Sequence, residues 1–121
     1  MAAPNLVNVA TITAKSVQAT LDTTLTTEIL ANASSSGKVF KVNAIIVANI
    51  DGSSAADVSV AITKSGGSPI MIASTISVPA DATLVVIDNN SSIYLEEGDN
   101  IEAGASANSD LTITISYEEL S

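Results

Sequence analysis

Few side chains in this sequence can do chemistry, and the ones missing narrow the choice further. There is no histidine, no cysteine and no arginine. A nucleophile needs a base beside it. Here the only side-chain amines are Lys15, Lys38, Lys41 and Lys64, and two of them adjoin a serine, at Lys15-Ser16 and Lys64-Ser65. With 17 serines in the chain such neighbours arise by chance, so no Ser–Lys catalyst is expected. Glu96, Glu97, Asp99 and Glu102 could supply the carboxylate pair of a glycosidase. A sugar site also wants an aromatic platform, and the aromatic residues are only Phe40, Tyr94 and Tyr117. Two oxygen-rich turns could attract calcium: Glu96, Glu97, Asp99 and Asn100 around Gly98, and Asp88 with Asn89 and Asn90. Neither has the D-x-[DN]-x-[DN]-G spacing, and both are expected to be solvated acidic turns. Ser65-Gly66-Gly67 lacks the lysine and following helix of a phosphate loop. The expectation is a protein that is not an enzyme, with no cofactor and no metal.

The elements that would position these residues read as strands. The stretch Gly37–Gly67 holds two of them around the polar turn Asp51-Gly52-Ser53-Ser54, and is expected to be a hairpin at the centre of the fold. In its first strand Phe40, Val42, Ala44, Ile46, Ala48 and Ile50 alternate onto one face. In its second, Val58, Val60 and Ile62 do so. Thr20–Leu30 reads as a strand with Leu25, Thr27 and Ile29 on one face, because its five threonines disfavour a helix. Ile70–Val78 is extended and stops at Pro79. The unbroken run Leu84–Ile87 fits a strand buried on both faces. Short strands follow at Ile93–Leu95 and from Ile101, and Leu111, Ile113, Ile115 and Tyr117 give the cleanest alternation. Eight or nine short strands with turn signals between them predict an all-β fold, an antiparallel β-sandwich of jelly-roll type. Residues 1–20 are read as an N-terminal extended segment or arm, and 21–121 as the sandwich domain.

Composition bounds the partners. Ala, Ser and Thr make up 47 of the 121 residues. Each buried side chain therefore contributes little, at about 25 cal/mol per Å² of apolar area, which favours support from an extensive sheet and from partner subunits. Residues 1–80 balance four acids with the four lysines, whereas 81–121 hold nine acids and no base, so the net charge of −9 sits in the last third. Without a basic patch, neither nucleic acid nor an anionic membrane is an expected partner. No stretch reaches the roughly 18 apolar residues of a membrane span, and the N-terminus lacks the basic start and apolar core of a secretory signal. Lys38 and Lys41 flank Phe40. The lysines are either solvated charges that blunt a strand edge or partners of the acidic third, in the same subunit or a neighbour. On the second reading Lys38, Lys41 and Phe40 are possible subunit contacts.

Four stretches together carry a resemblance. They are GKVFKVNAIIVAN (37–49), IASTISVPADATL (72–84), SIYLEEGD (92–99) and SYEE (116–119). Their layout resembles small virion structural proteins of tailed phages, notably those of cyanobacterial myoviruses, over most of the chain. The resemblance implies a capsid decoration, or cement, protein that binds the outer face of the major capsid shell and stabilises it. It implies the major capsid protein as partner, self-association into a homo-oligomer, assembly in the host cytoplasm and a place on the capsid surface of the virion. The alternatives are a tail, neck or fibre-associated virion protein, or a carbohydrate- or host-surface-binding sandwich module.

Overall fold

The structure is a computed structural model that describes residues 9–25 and 27–121. Among the described residues the chain forms nine strands and no helix: β1 (Ile12–Thr20), β2 (Thr27–Ala31), β3 (Val39–Asn49), β4 (Ala56–Thr63), β5 (Ile70–Val78), β6 (Thr83–Ile87), β7 (Ile93–Leu95), β8 (Asn100–Ala105) and β9 (Leu111–Leu120). One sheet has the order β1-β9-β3-β6, with β7 also on β3. The other has the order β2-β8-β4-β5. Every pairing is antiparallel. Because β6 and β7 both pair with β3, they act as one interrupted edge strand. The chain is then a single long antiparallel ribbon, β1 with β9, β2 with β8, β3 with β6–β7 and β4 with β5. Successive pairs alternate between the two sheets, which is the jelly-roll arrangement.

The inward faces close the core. β9 contributes Leu111, Ile113 and Ile115, β3 contributes Val42, Ile45 and Val47, and Val58, Val60 and Ile101 face them from the second sheet, all fully buried. The rings of Phe40 and Tyr117 meet at 5.1 Å with a 38° tilt, the one aromatic pair of a core otherwise aliphatic among the described residues.

The Gly37–Gly67 expectation holds for its strands but not for their pairing. β3 lies inside the first sheet and β4 inside the second, so Asp51–Ser54 belongs to a crossing between sheets. Alternation shows that a strand has one apolar face. It does not say whether that face is shared side by side with a neighbour or set opposite one across the core. The phase also changes along β3. Val42 pairs with Tyr117 and Ala44 with Ser116, so Asn43 is an extra residue and the strand is bulged there. Beyond it Ile45 and Val47 turn inward, while Ile46 and Ile50 are exposed, contrary to the sequence expectation. A one-residue bulge moves every later side chain to the other face.

Two further expectations are corrected. Leu84–Ile87 is not buried on both faces: β6 is an edge strand, and Val85 is 54% exposed. In Thr20–Leu30 the strand starts only at Thr27 and bulges between Glu28 and Leu30, so that Leu30 is buried. Of the N-terminal segment, residues 1–8 lie outside the described residues, and β1 pairs with β9 along its whole length.

The sheet crossings are pinned by polar side chains. Among the described residues the buried polar ones are Asn32, Asn49 and Asp99. Each stands where the chain changes sheet, between β2 and β3, between β3 and β4, and between β7 and β8. Asn32 Nδ2 donates to the carbonyls of Lys38 (2.8 Å) and Leu95 (3.1 Å), and its Oδ1 accepts from Ser36 Oγ at 2.6 Å. Next to Asp99, Gly98 has φ +85° and donates its N–H to the Asn32 carbonyl at 2.7 Å. A Cβ there would stand 2.7 Å from Ser65 Oγ and 2.8 Å from Ser65 Cβ. Gly98→Ala combines a left-handed backbone with this overlap and is expected to destabilise by about 2–3 kcal/mol. Urea unfolding measures it, and a loss below about 0.5 kcal/mol, the range of an ordinary surface substitution, would contradict the account.

Candidate interaction surface

The ionisable residues singled out by the sequence are tied up within the fold. Glu119 lies between two lysines, with Lys15 Nζ 3.1 Å from Oε2 and Lys38 Nζ 3.1 Å from Oε1. Burial pushes the Glu119 carboxyl up, but the hydrogen bonds and charges of Lys38 and Lys15 outweigh it and hold the group below its ordinary value. Both lysines are more than a third exposed, so the cluster is worth only about 1 kcal/mol or less per pair. Lys64 Nζ reaches Asp99 Oδ2 at 2.5 Å and Glu96 Oε2 at 3.5 Å. Three of the four lysines therefore pair with acids from the last third of their own subunit.

Asp99 is not the solvated acid expected from its turn. Its side chain is 2% exposed. Oδ1 accepts from the Ser65 N–H at 3.0 Å, and Oδ2 accepts from the Glu96 N–H at 2.9 Å as well as from Lys64. Burial raises its pKa, and the Lys64 contact with the two N–H bonds more than reverses this, leaving it below the ordinary value. Lys64 is raised in turn, chiefly by its hydrogen bond to Asp99. Glu97 Oε2 accepts the Gly37 N–H at 2.9 Å. These carboxylates are loop clamps, and no group of three or more acidic side chains converges on a metal-sized site among the described residues. The other acidic turn is closed by Asp88 Oδ1 accepting the Asn90 N–H.

The three residues expected as subunit contacts separate. Phe40 is 6% exposed and packed on Tyr117, so it is core and unavailable to a partner. Lys38 is held by Glu119. Lys41 lies mid-strand, opposite Tyr94 on one side and Glu118 on the other, half-buried. Tyr94 is exposed whereas Tyr117 is buried, so the two tyrosines do not share one surface. A groove of about 350 Å³ runs over β1 and β9 and is lined by Gln18, Ala19, Thr20, Thr112, Ile113 and Thr114, with no ionisable group.

The surface that sequence reading missed is at the β5–β6 side of the sandwich. β5 carries two register shifts against β4, one between Met71 and Ala73 and one between Ala73 and Ile76, and Thr75 inside the second has φ 52°, a strained conformation for a β-branched residue. The Thr75 N–H is held by Ser59 Oγ at 2.9 Å. With alternation broken, only Ala73 and Val78 of the nine residues are buried. Ile70 (65%), Met71, Ile72 and Ile76 are exposed, and Val85 stands beside them on β6. Ile72, Ala73, Ile76, Leu84, Val85 and Val86 line a shallow groove of about 220 Å³. β5 and β6 carry no charged residue. The signal in the sequence is a charge-free run from Ser65 to Ala80, but its alternation there looks like that of any half-buried strand.

The other edges are defended. β1 turns Lys15 toward Glu119, and β2 is short, bulged and carries Glu28, devices that discourage edge pairing. β5 is the long edge without a charge. No family model, no curated protein and no solved structure matches this chain.

Proposed function

We propose that the chain is a virion structural protein, a capsid decoration protein that adds to the outer face of an assembled shell and reinforces it. One observation carries the associative part of this reading. The acids and lysines of the clusters described above are spent on contacts within the fold, while a nine-residue strand free of charge is left exposed at an edge. An exposed apolar strip of this kind marks an interaction surface. The jelly roll is shared by capsid and lectin domains, which supports the virion reading as analogy of fold. The acidic remainder of the surface keeps a many-copy protein soluble.

The test is addition of purified protein to expanded tailed-phage capsids that lack it, followed by cryo-EM. The expected result is density at repeated positions over the shell and greater resistance of the particle to heat. Density confined to a ring at the tail or neck would place the protein there instead, and no binding to any part of the particle would overturn the reading.

A further inference from the structure

We infer that the β5–β6 seam is where two copies of this chain meet, in a closed two-fold dimer. The inference rests on the associative part of the proposed function and not on its assignment to a virion. Charge decides the occupant. Each copy carries −9, so most of its surface repels a second copy. β5 and β6 are charge-free, with Asp81 and Asp88 just beyond the ends of β6, so a copy meeting a copy along the strands themselves sets no strand acid against another. A basic partner would gain more from the acidic remainder of the surface than from this neutral strip.

Geometry decides the form. The two bulges and the left-handed Thr75 break the regular row of backbone donors and acceptors along β5, so a continuous ladder from copy to copy is disfavoured. Pro69 and Pro79 bound the strand at both ends. Contact is therefore made by side chains, with Ile70, Ile72 and Ile76 of one copy set against the groove floored by Leu84 and Val86 of the other. The same patch serves both copies, which closes the pair and does not propagate a filament.

Size sets the strength. Nine residues span roughly 30 Å, and the two sheets stand roughly 10 Å apart. A strip of these dimensions is on the order of 300 Å², below the ~800 Å² per partner of a standard interface, so the dimer is expected to be weak and reversible. Raising the ionic strength should tighten the dimer, because screening weakens repulsion between the acidic copies.

Sedimentation equilibrium of the purified chain at about 1–200 μM, the range of a weak dimer, tests the inference without any capsid present. Failure to bind a shell and failure to dimerise are thus read separately. The expected result is a monomer–dimer equilibrium that Ile76→Glu and Val85→Glu each shift to monomer by at least about tenfold, with unchanged circular dichroism. A monomer throughout the range, or a dimer indifferent to both substitutions, would overturn it. If either variant misfolds, single cysteines decide, since the native chain has none. A mixture of Ile76→Cys and Val86→Cys chains should give a covalent pair on mild oxidation, and a mixture of Ile76→Cys with Glu28→Cys, at the opposite edge, should not. The reverse pattern, or no cross-link between Ile76→Cys and Val86→Cys, would also overturn it.

Discussion

Replacing Asp99 with alanine is expected to cost about 3–4 kcal/mol, which at this chain length is roughly 10–15 °C in melting temperature. The magnitude comes from what the carboxylate leaves behind. The N–H groups of Ser65 and Glu96 both lose their acceptor beside a side chain that is 2% exposed. Each unsatisfied buried donor costs about 1–3 kcal/mol. Lys64 contributes less, because its side chain is 54% exposed and water replaces the lost partner. Lys64→Ala should therefore cost distinctly less than Asp99→Ala. Asp99→Asn should fall between them, since its amide keeps one acceptor oxygen but turns a donor toward donors. Urea unfolding of the three variants checks the order, and a Lys64→Ala loss equal to that of Asp99→Ala would show the ion pair, not the backbone bonds, to be the main contribution.

This cluster and the one around Glu119 set the pH response. Asp99 and Glu119 have folded pKa values below their ordinary ones. The unfolded chain binds their protons more readily, so their contribution is complete above the unfolded values near 4 and is lost as pH falls through the folded values. Lys64 is raised in the folded state. Its contribution is complete below about 10.4 and is lost as pH rises through the folded value. Stability is expected to be flat between roughly pH 5 and 9 and to fall on either side. In Asp99→Ala the acid limb should be shallower, with the deficit against wild type shrinking below about pH 4. An acid limb unchanged by the substitution would remove Asp99 from the account.

How far the sequence carries can be judged from single strands. β9 is legible because Leu111, Ile113, Ile115 and Tyr117 keep strict phase and no bulge interrupts their half of the ladder with β3 before Ser116. β3 is legible as a strand but not in its facing, because Asn43 inserts one residue without any local mark in composition. The two strands of Gly37–Gly67 are visible while their placement in different sheets is not, since that depends on contacts of high sequence separation. The sequence of β5 has the pattern of an ordinary strand. Its exposure follows from two bulges and a left-handed threonine, which no period-two pattern can encode. Asp99 looked solvated because Glu96, Glu97 and Gly98 surround it, and only the approach of Ser65 from the β4–β5 turn buries it. Phe40 drew attention as an aromatic between two lysines, and the pleat turns it inward while Lys41 goes out.

Asn49 provides the second large effect, with a pH dependence of opposite sign. It ends β3 at the crossing to the other sheet and is 3% exposed. Its Nδ2 donates to the carbonyls of Ser54 (3.0 Å) and Val78 (2.9 Å), and its Oδ1 accepts the Asp51 N–H at 2.9 Å. The Val78 bond joins β3 of one sheet to the end of β5 in the other. Asn49→Ala leaves two carbonyls and one N–H without this partner and is expected to cost about 3–4 kcal/mol. Asn49→Asp keeps the shape but sets a carboxylate against two carbonyl oxygens, in a site with little water to screen them. Burial and those oxygens both favour the protonated acid, so its folded pKa should lie above the unfolded 3.9. A group raised in this way destabilises fully above its folded pKa and ceases to do so as pH falls below it. Asn49→Asp should thus be about as damaging as Asn49→Ala at pH 7, and should recover on acidification toward pH 5, where the native protein is flat. Guanidinium unfolding at the two pH values measures this. A variant that lost stability on acidification, or one as stable as wild type at pH 7, would show that the Asn49 side chain does not hold the crossing.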